Sequence, residues 1–315
     1  MDLRDLRYFE TIAELQHVGR ASARLHRTQP TLTSSVRRLE NDCGAALFEK
    51  AGRGIRLTTA GVVLLKWARR MRFDVEDAKQ ELSNIGKGLA GHVRIGIVPT
   101  ATQFILPSVA RQLLHEAPAV TLTIVSGLID ALKPKLRAGE IDLMVGTESP
   151  AESGFVAKAL VEDAIVVAAS ADHELFGGKP AMKDLTPYHW ALQPPGAPTR
   201  DWLDHAFDRK RLPRPKVQVE ASMLLMLPPL IAQTGLLSFI SRHHLTTGAN
   251  GGMLKEVPVK DAVMRRRLVI THRDSGYLSP AAARLVELFV ATHRKTSLPR
   301  GAQSIAVRSR SETAR

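Results

Sequence analysis

Apolar residues recur at helical spacing near the start of the chain: Leu6, Phe9, Ile12 and Ala13, then Val18, Ala21 and Leu25, then Leu32, Val36 and Leu39. These stripes predict short helices sharing one small core. In the segment LFEKAGRGIRLT that follows, Gly52 and Gly54 flank Arg53 between two short apolar runs, the pattern of a two-stranded wing. Thr58 and Thr59 then offer a helix N-cap. After Gly61 no Pro or Gly interrupts the chain until about Ile85, and Leu64, Ala68, Met71, Val75, Ala78, Leu82 and Ile85 alternate steps of four and three. A period of about 3.5 residues held that long predicts a helix that pairs with a copy of itself or with a partner helix. An amphipathic helix lying on its own domain shows the same stripe. Gly86, Gly88 and Gly91 end the helix and supply a hinge.

Beyond the hinge the pattern changes to strands alternating with helices: HVRIGIV, the helix-like ILPSVARQLLHEA, VTLTIV, the helix-like IDALKPKLRAG, and IDLMVG. This βαβαβ run predicts an α/β body with a mostly parallel sheet and helices on both faces. Further strands are expected at AIVVAAS, WALQP, LLSFIS and RLVITHR, a core helix at SMLLMLPPLIA, and a closing helix at SPAAARLVELFVATH. The chain therefore divides into a head at 1–58, a linker helix and hinge at 59–91, an α/β body at 92–294, and a Ser- and Arg-rich tail at 295–315 expected to be disordered. No repeat at a solenoid period is present.

The formal net charge is +13, with a pI near 10.2. Residues 1–91 carry 16 basic and 11 acidic side chains, 92–294 carry 23 and 19, and 295–315 carry 5 and 1. Basic ends on a nearly balanced middle suit a head that meets a polyanion and a body with another task. The charged N-terminus and the lack of a long apolar run argue against a signal peptide or a membrane span, so a cytoplasmic protein is expected. Cys43 is the only cysteine, which excludes an intrachain disulfide, a multi-cysteine metal site and a two-cysteine switch within one chain. His243 and His244 have no second ligand cluster at metal spacing, so no metal and no cofactor are expected.

The head contains VGRASARLHRTQPTLTSSVRRLE, read as a short helix, a brief turn, and a second helix capped by Thr28 with Pro30 in its first turn. At about 100° per residue, Leu32, Val36 and Leu39 share the inner face, while Pro30, Thr33, Ser34 and Arg37 point away, with Gln29 and Thr31 at the exposed start. Gln29 can bond an adenine edge twice, Thr33 can offer a hydroxyl or methyl group, and Arg37 and Arg38 can reach phosphate or guanine. Arg53 at a wing tip can enter a minor groove or meet the backbone. Taken alone, the same features fit a solvated helix face and an exposed turn.

DLRYFETIAEL and RASARLHRTQPTLTSSVRRLENDCGAALFEKAGRGIRLTTAG resemble the N-terminal domain of LysR-type transcriptional regulators almost without gaps over about the first 61 residues. TQPTLTSSVRRLE is similar to the family's Ser-Gln-Pro-Ala-Leu-Ser-x-x-Ile-x-x-Leu-Glu helix. By position, the resemblance implies that Gln29, Pro30 and Thr33 face a DNA groove and that Arg53 sits on the wing. Where the family frequently has Arg-Gln, this chain has Ser34-Ser35, so a common DNA-contacting Arg is missing and Arg37 or Arg38 is left to compensate. The resemblance also implies that the heptad helix is a dimer linker, that dimers pair into tetramers, that the double-stranded DNA site is roughly palindromic, and that RNA polymerase is a further partner.

In open α/β sheets ligands sit beyond the carboxyl ends of strands. The loops there supply Thr100 and Thr102, then Ser126, Gly127 and Leu128, then Thr147, and in QPPGAPTR, Pro195, Gly196 and Arg200. Local capping is the other reading of the hydroxyls, and a surface ion that of Arg200. Arg265, Arg266 and Arg267 read as the solvated start of a strand. SGLIDALKPKLRAGEIDLMVG resembles a segment of the family's two-subdomain effector domain, itself similar to periplasmic binding proteins, in which Asp142 orders structure. The resemblance implies subdomain I at about 92–164 and 267–294 and subdomain II at about 165–266, with an effector between them. Basic balance and hydroxyl-lined loops lean toward a small organic acid. No G-x-S-x-G, G-x-x-x-x-G-K-[ST] or G-x-G-x-x-G after a strand occurs, so no catalysis is expected. The whole is read as a multi-domain regulator: a mainly α winged helix-turn-helix, a long linker helix and an α/β effector domain.

Overall fold

The computed structural model describes residues 1–52, 54–84, 89–246, 252–274 and 277–294. The head is built from α1 (Leu3–Leu15), α2 (Val18–Leu25), α3 (Gln29–Cys43) and the antiparallel pair β1 (Phe48–Ala51) and β2 (Gly54–Leu57), followed by α4 (Thr59–Asn84). Each helix start has its own side-chain cap. Asp2 accepts from the Arg4 N–H at 2.7 Å, His17 Nδ1 from Gly19 at 3.1 Å, and Thr28 Oγ1 from Thr31 at 3.4 Å. The predicted stripes converge on two apolar clusters. One joins Tyr8, Ile12, Ala21 and Leu32; the other joins Leu6, Phe9, Leu39 and Leu47 with Leu64 and Ala68 of α4.

That second cluster corrects the heptad expectation. Leu64 and Ala68 are 7% and 3% exposed and Met71 packs beside them, because the head's apolar floor needs a lid and α4 supplies it. Of the other seam positions, Val75 is half-buried, Ala78 and Leu82 are exposed, and Ile85 lies outside the described residues. The large apolar side chains that α4 leaves uncovered are Val62, Val63, Trp67 and Leu82. Gly61, inside α4, allows the close approach to the wing. A Cβ there would lie 2.1 Å from the Leu47 carbonyl oxygen.

The body begins with β3 (Ala90–Ile97), α5 (Pro99–Phe104), α6 (Leu106–Glu116), β4 (Ala119–Ser126), α7 (Ile129–Ala138) and β5 (Leu143–Thr147). It continues through β6 (Phe155–Ser170), β7 (His189–Leu192), α8 (Pro198–Arg209), β8 (Lys216–Glu220), α9 (Leu227–Ala232), β9 (Ser238–Ser241) and α10 (His243–Thr246). It ends with β10 (Leu254–Glu256), β11 (Val263–Arg273) and α11 (Pro280–Arg294). The expected parallel βαβαβ unit is present: β3 lies between β4 and β5, parallel to both. The sheet as a whole is mixed, however, with order β10-β6-β11-β5-β3-β4 and β9 on the other edge of β6. β6 and β11 run antiparallel from Phe155↔Arg273 to Val166↔Val263, with a bulge at Leu268/Val269. The apolar run AIVVAAS marks only the second half of β6, since the first half, with Lys158 and Glu162, is too polar to read as a buried strand.

These two long strands tie together two cores. One packs α6 and α11 on the sheet through Val109, Leu113, Leu285 and Phe289. The other surrounds fully buried Trp190, which meets Phe207 edge-on at 6.1 Å. SMLLMLPPLIA divides: Leu227 and Ile231 of α9 are buried, but Met223 and Met226 precede the helix and are exposed. No helix among the described residues is long and apolar enough to cross a membrane.

Candidate functional site

On α3 the inward positions Leu32 and Leu39 are fully buried, which turns Gln29, Pro30, Thr31, Thr33, Ser34, Arg37 and Arg38 outward. Of these, Gln29, Pro30, Thr33, Ser34 and Arg37 line one shallow groove together with Ser22 of α2. Ser22 was not singled out in the sequence; it lies about 100° round α2 from buried Ala21. Thr31 turns aside, its hydroxyl 2.8 Å from that of Thr28. Arg53 lies outside the described residues.

Arg38 is a correction. Its Nε and Nη2 donate to the Asp5 carboxylate at 2.9 and 2.7 Å, and the buried Ser35 hydroxyl donates to the same carboxylate at 2.7 Å. Arg38 therefore clamps α3 onto α1, and Arg37 is left as the groove's arginine. The Ser34-Ser35 pair also divides: Ser34 faces the groove and Ser35 braces the core. The Arg38 hydrogen bond is the main reason the Asp5 carboxyl sits below its ordinary pKa, with burial opposing and Ser35 assisting.

In the body, Thr100 is buried, and its hydroxyl accepts from Arg266 Nη2 at 3.1 Å. Arg266 also donates to Asp163, whose other oxygen accepts from Ser241 at 2.7 Å. The network thus joins α5, both long strands and β9. Thr102 caps locally on the Val98 carbonyl at 3.3 Å, Gly127 N–H donates to Ile97, and Thr147 sits in the ladder opposite Leu268. Ser126 and Leu128 are exposed beside α7, and Pro195 and Gly196 form an exposed turn in which Gly196 has φ +87° and donates to Asp201. Arg200 is neither a surface ion nor a free clamp. Only 10% exposed, it holds Asp204 at 3.0 Å and the Gln193 carbonyl at 3.2 Å.

A cavity of about 520 Å³ lies over the middle of the long strands, lined by residues 161–164 of β6 and 265–267 of β11, with Glu148, Arg242 and His243. None of the nine loop residues expected to meet an effector lines it. Thr100 touches it only through Arg266. Arg265–Arg267 look like a solvated strand start until β6 is seen beside them, so no signal in the sequence pointed to this cavity. His243 instead stacks on Phe104 at 3.8 Å, and burial pushes the imidazoles of His243 and His244 below their ordinary pKa. Among the described residues no cluster of metal-ligating side chains occurs.

Head and body meet along α4. Glu10 of α1 is 3.7 Å from Arg69 and 3.2 Å from Arg72, and the guanidinium groups of Arg72 and Arg94 lie 4.2 and 4.7 Å from the centre of the Phe73 ring. Asp142 fixes Arg94 by accepting from its backbone N–H at 2.8 Å and from Nη2 at 2.9 Å, so it orders structure as expected.

Comparison with known proteins bears on both halves. Residues 3–62 match the family model described as the bacterial regulatory helix-turn-helix protein, lysR family, and residues 86–294 match the LysR substrate binding domain. The chain is 27% identical over 285 residues to the HTH-type transcriptional regulator GalR of Pseudomonas putida, covering 90% of this chain and 72% of that one. Its fold is similar to a full-length OxyR variant from Pseudomonas aeruginosa (TM-score 0.66, 27% identity, 93% and 95% coverage). It is also similar in fold to full-length CbnR complexed with its target DNA (TM-score 0.68, 22% identity, 93% and 100% coverage). These relatives are transcription regulators and not enzymes. With a helix-turn-helix head, a two-core α/β body and family matches over both, the chain belongs to the LysR family of DNA-binding transcription regulators with an effector-binding domain.

Proposed function

We propose that the head reads a roughly palindromic promoter site as part of a homodimer, with Gln29, Pro30, Thr33, Ser34 and Arg37 in the major groove and Arg53 on the wing. The observation that carries this is the groove that gathers those α3 residues on one exposed surface. In this reading the units are the head at 1–58, the linker at 59–91 and the effector domain at 92–294, with subdomains parting near 164 and 266. A homodimer is supported by the uncovered Val62, Val63, Trp67 and Leu82 on α4, and pairs of dimers would form a tetramer that presents DNA to RNA polymerase in the cytoplasm. A small organic acid between the subdomains controls the arrangement, supported by the arginine-lined cavity over the long strands.

The test is DNA binding by Arg37→Ala and Gln29→Ala on a promoter site selected from genome-wide occupancy. Each is expected to lose about 1–3 kcal/mol on that site and to relax its sequence preference. Occupancy without promoter enrichment, or affinity independent of salt, would overturn the assignment.

A further inference from the structure

The charges around the cavity over the long strands do not cancel locally. Arg242 is taken by Glu256, at 2.7 and 2.8 Å, and Arg266 by Asp163 and Thr100. Arg267 stands alone between two carboxylates, 3.5 Å from Glu148 and 3.5 Å from Glu162, so one negative charge is left over. Arg265, exposed on the same wall, makes no ion pair with any described residue, so one positive charge is left over. The strand register sets the spacing between them. Arg265 opposes Ala164 and Arg267 opposes Glu162, so the two surpluses lie one side-chain repeat apart on the same face, about 7 Å along the strand.

A plain monocarboxylate would satisfy Arg265 and leave the glutamates unanswered, and a dicarboxylate would add charge beside them. A zwitterion answers both. The carboxylate and ammonium of an α-amino acid, with a hydrogen bond of about 3 Å at each end, bridge such a gap. The rest of the lining carries no spare charge. Val161 and Ala164 are buried and apolar, and the His243 ring is stacked on Phe104, where burial lowers its pKa. At about 520 Å³ the space falls within the range of small-molecule pockets, roughly 300–1,000 Å³. Glu148, Glu162 and Arg267 are each about half exposed, so their mutual pairing is weak and gives way to an incoming ligand at little cost.

We infer that this cavity binds a free α-amino acid with an uncharged side chain, its carboxylate on Arg265 and its ammonium on Glu148 and Glu162. The inference rests on the reading of the body as an effector domain and makes the organic acid of that reading an amino acid. The test uses full-length protein, with thermal shift and calorimetric titration of L-leucine and L-phenylalanine against their deaminated counterparts isocaproate and hydrocinnamate. The amino acids are expected to bind and the deaminated acids to bind at least about tenfold more weakly. Arg265→Ala and Glu162→Gln should each weaken the amino acid by about tenfold, since both remove a charge-assisted hydrogen bond from surface positions.

Isocaproate or hydrocinnamate binding as tightly as the amino acid, with Arg265→Ala sensitivity, overturns the ammonium subsite and leaves the organic-acid reading standing. Amino-acid binding untouched by both substitutions overturns the site. If neither class binds the folded wild-type protein, the inference fails. If a broad carboxylate panel also leaves DNA occupancy unchanged, the organic-acid reading fails with it.

Discussion

Asp5 is 3% exposed, yet its two oxygens receive three hydrogen bonds, one from Ser35 and two from Arg38. Truncation would strand the buried Ser35 hydroxyl and release the arginine. Asp5→Ala should therefore lower stability by about 1–3 kcal/mol in denaturant unfolding, and an unchanged midpoint would show that the clamp contributes nothing. Because the folded pKa of Asp5 is depressed, its contribution is fully present above the ordinary carboxylate value and is lost only as pH falls through the folded one. His243 and His244 act nearer neutrality. Both are depressed, first of all by burial, so below about pH 6.5 the unfolded chain takes up protons that the folded chain resists. Stability present above that pH should decline as the solution is acidified below it. His244→Leu should flatten the profile, whereas a wild-type melting temperature constant over this window would contradict the assignment. Helical phase alone sets Arg37 among the outward residues of α3, but the residue that claims Arg38 lies on a different helix. That is why the groove was legible and the clamp beside it was not.

The same limit appears at the scale of α4. Its periodicity was plain in the sequence, but a stripe of apolar residues does not say whether it covers its own domain or a second chain. Here the stripe is shared. Leu64, Ala68 and Met71 serve the head, Leu82 is left in solvent near the far end of the helix, and Val62, Val63 and Trp67 are exposed near its start. Charged substitutions should divide accordingly. Ala68→Glu buries a carboxylate without a partner and should unfold the head, visible as lost cooperativity in thermal unfolding. Trp67→Glu and Leu82→Glu should leave the fold intact and weaken self-association in sedimentation. If both variants sediment as wild type, α4 is not the principal interface.

For the whole molecule, the parallel unit of the body was readable because its strands are short, apolar and regularly alternated with helices. The crossing strands were half readable. The positions where they pass between cores are charged, and charged strands acquire meaning only from their neighbours, as Arg266 does from Asp163 and Thr100. Of the expected ligand loops, Thr102 and Arg200 are satisfied within a few residues of themselves, whereas Thr100 is claimed by Arg266 from the far strand β11.

The grip on Phe73 has a mechanical consequence. Arg94 of the body and Arg72 of the helix both rest on that ring, and the wing joins the same helix fourteen residues earlier, at Thr59. The intervening lever is about 21 Å long. A tilt of about 10° at the ring would carry the head through roughly 4 Å, close to the rise of one base pair, about 3.4 Å. A small tilt at the ring would thus shift the wing end of the head by about one base-pair rise.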